Sequence, residues 1–307
     1  MASNGEARRG GWARWLVLAV PYAWLLVLFL IPFLIVIKIS LSTPLIGQPP
    51  YAPTFDIAGG VSGLLASARQ LVVDNYVFLT KDALYWKSYL SSLWIAIAST
   101  FLVLLFSYPI AYGMARASRA MQPTLVMLII LPFWTSFLIR VYAWIGILKK
   151  EGLLNQLLMW LHLIDQPLVI LNTNWAVYIG IIYSYMPFMI LPLYAALERL
   201  DNTLLEAASD LGCPPARAFW QITFPLSLPG VIAGSFLVFI PVTGEFVIPD
   251  LLGGHSTLMI GKTLWDEFFS NRDWPLASAV AVVLLILLVV PIVIFQNQEQ
   301  KRAESET

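Results

Sequence analysis

Cysteine and histidine are nearly absent from this sequence, and charged residues are scarce. Cys213 is the only cysteine, so the chain can form neither an internal disulfide nor a cysteine metal cluster. His162 and His255 are the only histidines, which argues against metal catalysis and against a histidine-based nucleophile. Charged residues make up 12% of the chain, against roughly 25% in soluble domains. The net charge is zero and no basic block is present, so the sequence predicts no nucleic-acid partner.

Apolar residues are abundant instead, at 59% of the chain with a mean hydropathy of +0.77, which is typical of an integral membrane protein. Long apolar runs predict six transmembrane helices, and an even number places both termini on one side. The runs cover residues 16–37, 89–112, 124–148, 175–197, 226–249 and 276–295. We therefore expect an all-α membrane protein with one six-span domain over residues 16–296, after a segment of residues 1–15 and before a tail of residues 297–307.

The start of the chain also has features of a signal peptide. Arg8, Arg9 and Arg14 precede the first apolar run, and Ser40-Leu41-Ser42 offers a small-x-small cleavage site. The run is 22 residues long, which exceeds the apolar region of a signal peptide, about 7–15 residues, and fits the roughly 20 residues that span a bilayer. We interpret it as the first transmembrane helix.

A polar, partly basic segment separates the fourth and fifth apolar runs. Thr203 and Glu206 have the spacing of a capping box, which predicts the start of a short helix. The helix is expected to end at Gly212, because glycine readily adopts the left-handed conformation of a helix stop. Pro214 and Pro215 suit the first turn of a second helix, where their missing N–H groups are not needed. The pattern predicts a helix, a tight turn and another helix.

This segment resembles the EAA loop of the permease subunits of binding-protein-dependent ABC importers. Its pattern is Glu-Ala-Ala, three residues, Gly, nine residues and Ile-x-x-Pro, with Phe224 where the family usually has leucine. The matching residues are Glu206, Ala207, Ala208, Gly212, Ile222 and Pro225. The resemblance implies the six-helix type I importer permease fold, with a cytoplasmic coupling helix that docks onto an ATPase subunit. Small alanines would permit close approach, and Glu206 would act as the helix cap, as a contact to the partner, or as both.

Charge gives only weak support for one orientation in the membrane. Arg116 and Arg119 join the N-terminal arginines on one side, but Lys149 and Lys150 lie on the other. The EAA resemblance decides, because its loop must meet a cytoplasmic ATPase. It implies a cytoplasmic loop of residues 198–225, a periplasmic loop of residues 40–87, and both termini in the cytoplasm, in the inner membrane of a bacterium.

Longer stretches resemble the polyamine branch of this family, which carries putrescine and spermidine, and the putrescine permeases most of all. They are LPFWTSFLIRVYAWIGILKKEGLLN (131–155), GEFVIPDLLGG (244–254) and FFSNRDWPLASA (268–279). The resemblance implies import of a polyamine from the periplasm. It also implies the partners: a second, homologous permease subunit, a dimer of ATP-binding subunits that holds ATP and Mg, and a periplasmic polyamine-binding protein.

The chain itself lacks a phosphate-binding loop. Gly254 and Gly261, which precede Lys262-Thr263, are separated by six residues, whereas the motif requires four. We therefore expect this subunit, embedded in membrane lipid, to bind no cofactor and to have no enzymatic activity of its own.

Arg140 and Glu245 are the ionisable residues well inside apolar runs. A charge at the centre of a bilayer costs about 2.5–3.5 kcal/mol even on lenient scales, so each needs a partner or a water-filled cavity. They either pair with each other, line the path of the substrate, or reach the interface, and Asp250 would extend a negative strip from Glu245. Carboxylates and ring faces suit a dicationic amine. The candidate aromatic residues for this path are Trp134, Tyr142, Trp144, Tyr183 and Tyr185, for which packing or an interfacial belt is the alternative.

Two other classes of protein are weaker interpretations. A self-contained secondary transporter or channel would lack an EAA loop and would more often have two similar halves. A membrane enzyme would need several reactive side chains at one depth, and only Arg140 and Glu245 are available. Another small cationic or organic solute of the same ABC family stays open as the substrate.

Overall fold

The computed structural model describes residues 17–54, 60–255 and 257–305, most of which are helical. The predicted N-terminal segment with Arg8, Arg9 and Arg14 lies outside the described residues. The helices are α1 (Val17–Ser40), α2 (Gly60–Ala68), α3 (Asp74–Lys81), α4 (Ala83–Arg116), α5 (Gln122–Ile130), α6 (Phe137–Leu148), α7 (Leu153–Trp160), α8 (Asn174–Glu198), α9 (Thr203–Asp210), α10 (Pro215–Thr243), α11 (Val247–Leu252), α12 (Ile260–Trp265) and α13 (Trp274–Ser305).

Within the described residues, five helices are long and apolar enough to cross a membrane: α1, α4, α8, α10 and the part of α13 up to Val293. A sixth span results if Gln122–Trp134 and Phe137–Trp160 are counted together. These two segments are bent by 88°, so the third span predicted over residues 124–148 consists of two helical segments with a break at Thr135 and Ser136.

The break in the third span has a local cause. Leu131–Trp134 is a 3₁₀ turn that contains Pro132, which has no N–H to donate. The Thr135 hydroxyl donates a hydrogen bond of 2.7 Å to the carbonyl of Pro132. This side-chain bond takes the place of a bond from the helix backbone. Thr135 and Ser136 are extended, and α6 then starts afresh at Phe137. Pro132 and the two small polar residues Thr135 and Ser136 are the signals of this break in an otherwise apolar run.

The helices also do not end where the apolar runs end. α4 begins at Ala83, before the run that starts at residue 89, and α13 continues to Ser305 through much of the predicted tail. The fifth apolar run, residues 226–249, extends beyond the end of its helix, whereas the start of this helix agrees with the second helix predicted in the polar segment. α10 begins at Pro215, inside the predicted loop of residues 198–225, and ends at Thr243. Polar residues in the terminal turns of a helix do not interrupt its hydrogen bonds, so hydropathy underestimates the lengths of α4 and α13.

The chain forms two compact units, one of residues up to Asp82 together with those from Leu264 onward, and the other of Ala83–Thr263. In the second unit α4, α8 and α10 pack against one another. Their buried side chains form a common core of Ile95, Ala96, Val103, Ala111, Val177, Ile181, Met189, Ile190, Leu193, Val231, Val238 and Val242.

In the first unit α1 packs against α13. A small antiparallel hairpin, β1 (Thr43–Pro44) with β2 (Tyr51–Ala52), follows α1. Lys38 near the end of α1 donates a hydrogen bond to the carbonyl of Pro53, and its ammonium lies 4.5 Å from the centre of the Tyr51 ring. The hairpin is therefore tied to the end of α1 by both polar and cation–π contacts.

Gly230 and Gly234 bring α10 close to α8. A methyl group at Gly230 would lie 2.6 Å from Cβ of Ala196 and 2.8 Å from the carbonyl oxygen of Pro192, and one at Gly234 would lie 2.7 Å from Sδ of Met189. Two glycines one turn apart on one face allow two helix backbones to approach closely. These two glycines therefore allow α8 and α10 to cross closely.

Gly230→Ala is expected to destabilise the folded chain by about 1–3 kcal/mol, because the added methyl group meets backbone atoms that cannot move aside. Gly113→Ala is the matched control, since Gly113 lies inside α4 with nothing within 4 Å of a methyl group. It should stabilise the chain slightly, by roughly 0.5–1 kcal/mol. The midpoints of thermal unfolding of both purified variants measure this difference. Equal midpoints would contradict the close crossing.

Candidate functional site

The predicted coupling segment begins with α9, whose first N–H group is bound by a residue that was not predicted, just before the N-cap position Asn202. The backbone N–H of Thr203 donates to Oδ1 of Asp201 over 3.0 Å, and this hydrogen bond holds the pKa of the Asp201 carboxyl below its ordinary value. The proposed capping box was wrong, because Thr203 is the first helical residue and its side chain does not cap. In the part of the chain that the structure describes, no hydrogen bond or ion pair involves the Glu206 carboxylate. It is exposed and free to meet a partner.

The turn after α9 has the predicted geometry. Gly212 has a φ of +74°, its N–H donates to the carbonyl of Ser209 over 2.8 Å, and the N–H of Cys213 donates to the carbonyl of Ala208 over 2.9 Å. These two bonds are the pair that closes a helix through a left-handed residue. Pro215 is the first residue of the next helix, so the predicted helix, turn and helix are confirmed.

The surface of this segment is mixed. Glu206 and Ala207 are exposed, whereas Ala208 is buried against the rest of the unit. Leu211 beside the turn is 89% exposed, a large apolar side chain with nothing to cover it in the isolated subunit. Of the other motif residues, Ile222 is half-buried and Pro225 is exposed. The start of the motif thus presents a small, partly apolar surface, whereas its end is part of α10.

Glu245 lies in the turn between α10 and α11 rather than inside a transmembrane helix, which corrects the prediction. Its Oε1 accepts hydrogen bonds from the backbone N–H groups of Phe246, Val247 and Ile248, at 3.1, 2.9 and 3.4 Å. Its Oε2 accepts a hydrogen bond from the hydroxyl of Tyr185 on α8. The side chain is 8% exposed. The carboxylate therefore caps α11 and joins it to α8, and the charge at this depth is held by four donors.

Arg140 does not pair with Glu245: no ion pair within 4.0 Å joins them in the described chain. The guanidinium instead lies over two ring faces, 4.8 Å from the centre of Phe133 and 5.8 Å from that of Phe137. Its Nε and Nη1 are buried without a hydrogen-bond partner among the described residues. Neither phenylalanine was predicted. Phe137 is on the same helix as Arg140, three residues before it, but Phe133 lies across the break at Thr135 and Ser136, so helical spacing does not account for its contact.

Asp250 does not form a simple negative strip with Glu245. Its Oδ1 lies 3.2 Å from Nζ of Lys262, a residue that the sequence did not connect with it. The Asp250 side chain is half exposed, and an exposed ion pair of this kind contributes little to stability. The charge of Asp250 is nevertheless largely offset by Lys262, which leaves Glu245 as the main carboxylate of this region.

The candidate aromatic residues are not one cluster. Trp134 and Tyr142 are 73% and 57% exposed. Trp144 and Tyr183 contact each other edge to face, with ring centres 5.4 Å apart. Tyr185 alone among the five directly contacts Glu245. The structure therefore brings together Glu245 and Tyr185, and none of the other four rings makes a hydrogen bond to Glu245 in the described residues.

Comparison with known proteins gives the same assignment as the coupling segment. Residues 107–303 match the family described as the inner membrane component of binding-protein-dependent transport systems. The chain belongs to this family. It is a multi-pass inner membrane protein of the ABC permease type, and proteins of this type are not themselves enzymes.

Two curated relatives and one solved structure cover most of the chain. The spermidine/putrescine transport system permease protein PotB of Haemophilus influenzae is 38% identical over 91% of this chain and 92% of its own length. PotB of Escherichia coli K12 is 41% identical over 73% of this chain and 81% of its own. The crystal structure of a bacterial ABC transporter that imports alginate aligns with a TM-score of 0.64 over 96% of both chains, at 17% identity. The last comparison confirms the fold class. The names of the relatives include both amines, so the closer resemblance to putrescine permeases stays a prediction.

Proposed function

We propose that this chain is the permease subunit of an ATP-driven importer of polyamines, putrescine or spermidine. The observation that carries the proposal is its 38% identity to a spermidine/putrescine permease protein over 91% of the chain. The polyamine stretches of the sequence and the carboxylate of Glu245 beside the ring of Tyr185 are consistent with it, since ammonium groups bind carboxylates and ring faces.

The assembly follows from the one coupling segment that the chain contains. A pair of ATPase subunits offers two docking points, so a second, homologous permease subunit supplies the other. ATP and Mg bind to the ATPase dimer, and a periplasmic protein delivers the amine. Because the coupling segment has to meet the ATPase, α9 and the turn at Gly212 lie in the cytoplasm, and so do both termini.

α10 gives this assembly a direct mechanical connection. It runs as one helix of 29 residues from Pro215, beside the coupling turn, to Thr243, beside Glu245. At about 1.5 Å per residue it spans roughly 40 Å, enough to cross a bilayer. A displacement of the coupling turn by the ATPase therefore moves the turn that holds Glu245, because both lie at the ends of one element.

Reconstitution tests the proposed function. The complex that copurifies with this chain is placed in vesicles with ATP inside and the binding protein outside, and uptake of labelled putrescine and spermidine is measured. We expect uptake that needs both ATP and the binding protein. Uptake of a panel of other small cations and organic solutes is measured in the same vesicles to test the alternative substrates. Uptake of one of these, with no uptake of either polyamine, would contradict the proposal, and uptake by the chain without its partners would indicate a secondary transporter.

A further inference from the structure

The last turns of α4 carry three side chains on one face. Tyr108, Tyr112 and Arg116 are spaced by four residues, so they lie one above another along the helix. Tyr108 is buried, Tyr112 is half-buried and Arg116 is exposed. We call these residues the α4 stripe. It ends where the helix ends, close to the coupling segment.

The buried part of the α4 stripe holds the start of α10. The ring of Tyr108 contacts Phe219 edge to face at 5.4 Å, and the ring of Tyr112 does so at 6.3 Å. The hydroxyl of Tyr108 is 2.8 Å from Oγ of Ser227, about two helical turns beyond Phe219 along α10. Edge-to-face ring pairs contribute roughly 0.5–1.5 kcal/mol each beyond the area they bury. The stripe therefore fixes the first turns of α10 against α4.

The exposed part of the α4 stripe holds the start of α9. Nη1 of Arg116 donates to Oδ1 of Asn202 over 2.8 Å. The carbonyl of Asn202 in turn accepts the N–H groups of Leu205 and Glu206 at 3.0 and 3.1 Å, so Asn202 is part of the first turn of α9. The guanidinium also lies 5.2 Å from the centre of the Tyr112 ring, which keeps Arg116 in line with the stripe.

One face of α4 thus contacts both arms of the coupling turn, α9 through Arg116 and α10 through the two tyrosines. We infer that the α4 stripe is the brace that fixes the coupling helix α9 relative to the membrane helices, with Arg116 as the positioning residue for α9. The inference rests on the proposed function, because α9 has to move with the ATPase. Without the Arg116–Asn202 contact, α9 tilts about the turn at Gly212, and part of the ATPase motion does not reach α10.

Arg119 provides a matched control for Arg116. Both arginines line the same cleft of about 690 Å³, together with Gln122, Glu198 and Asn202. Both are exposed, but Arg119 makes no hydrogen bond to α9 in the described chain. Arg116→Met and Arg119→Met each remove one positive charge from this cleft. Only the first removes the contact with Asn202.

The experiment uses the whole complex in vesicles and measures amine uptake and ATP hydrolysis in the same preparation, for Arg116→Met, Asn202→Ala, the double variant and Arg119→Met. We expect the ratio of amine taken up to ATP hydrolysed to fall roughly threefold in Arg116→Met, because water screens the contact of an exposed charged side chain. Asn202→Ala should also lower it, and the double variant should lower it no further than Arg116→Met, because both single changes break the same hydrogen bond between Arg116 and Asn202. Arg119→Met should keep the wild-type ratio, and all four should assemble normally.

Three results would overturn the inference: an unchanged ratio in Arg116→Met, an equal fall in Arg119→Met, or a loss of assembled complex that accounts for the loss of uptake. These results differ from a failure of the proposed function. If the wild-type complex takes up no polyamine, the proposed function is wrong. If the wild-type complex transports normally and only the variants give a contradictory result, the α4 stripe is not the brace.

Discussion

Gly212→Val is expected to lower polyamine uptake by about tenfold or more while leaving the amount of the chain in the membrane unchanged. Gly212 has a φ of +74°, and an L-residue in this conformation costs roughly 1–2 kcal/mol, with β-branched residues the least tolerated. We expect the turn to open, which relieves the backbone strain but breaks the two hydrogen bonds that close α9. The coupling helix then no longer presents Leu211 and Glu206 in a fixed direction, but none of the membrane helices is touched.

The structure offers a control for the conformational cause. A methyl group at Gly212 would have nothing within 4 Å, so a side chain at this position meets no steric obstacle. Gly212→Asn should therefore retain most of the uptake, because asparagine is tolerated in the left-handed region. Uptake and the amount of complex in the same membranes are the measurements. Equal loss in both variants would mean that the surface, and not the backbone conformation, matters here, and normal uptake in Gly212→Val would remove the turn from coupling.

The coupling turn was predictable because its signals are local. A glycine after a short polar helix and a proline that starts the next helix act through their own backbone, so no distant residue is needed. The cap of α9 was not predictable to the same degree. Asp201, Asn202 and Thr203 are adjacent and all are residues that cap helices, and only the fold decides that Asp201 supplies the hydrogen bond.

Hydropathy predicted six spans, a number that the structure reaches if the bent pair of the third span is counted as one, but it did not predict where the spans are interrupted. The apolar run continues past Gly244 to residue 249, so Glu245 looked like a charge within a helix. The chain in fact leaves the helix there and starts α11 at Val247, and the carboxylate is stabilised by the N–H groups that this break leaves free. The contact with Tyr185 joins residues that are 60 positions apart. Nothing in the sequence between them signals a contact of this range.

Glu245→Gln is expected to lower polyamine uptake by about tenfold or more with a normal amount of assembled complex. The amide oxygen of glutamine can still accept the three backbone N–H groups that Oε1 accepts, and its amide nitrogen can donate to the hydroxyl oxygen of Tyr185. The hydrogen bonds and the shape are thus kept, and only the negative charge is lost. A charge-assisted hydrogen bond contributes roughly 1.5–3 kcal/mol, so an ammonium group that relied on this charge would lose at least tenfold in affinity.

Tyr185→Phe separates the charge of Glu245 from its support. This variant removes the donor to Oε2 but leaves both the ring and the carboxylate in place, so a path that depends on charge should lose less uptake than in Glu245→Gln. A carboxylate that served only to cap α11 and join it to α8 would give the opposite order, because glutamine replaces its bonds and phenylalanine does not. Labelled-amine uptake and the amount of complex, measured on the same membranes, distinguish the two. Unchanged uptake in Glu245→Gln would remove Glu245 from the path, and parallel loss of uptake and assembly would assign it a structural role alone.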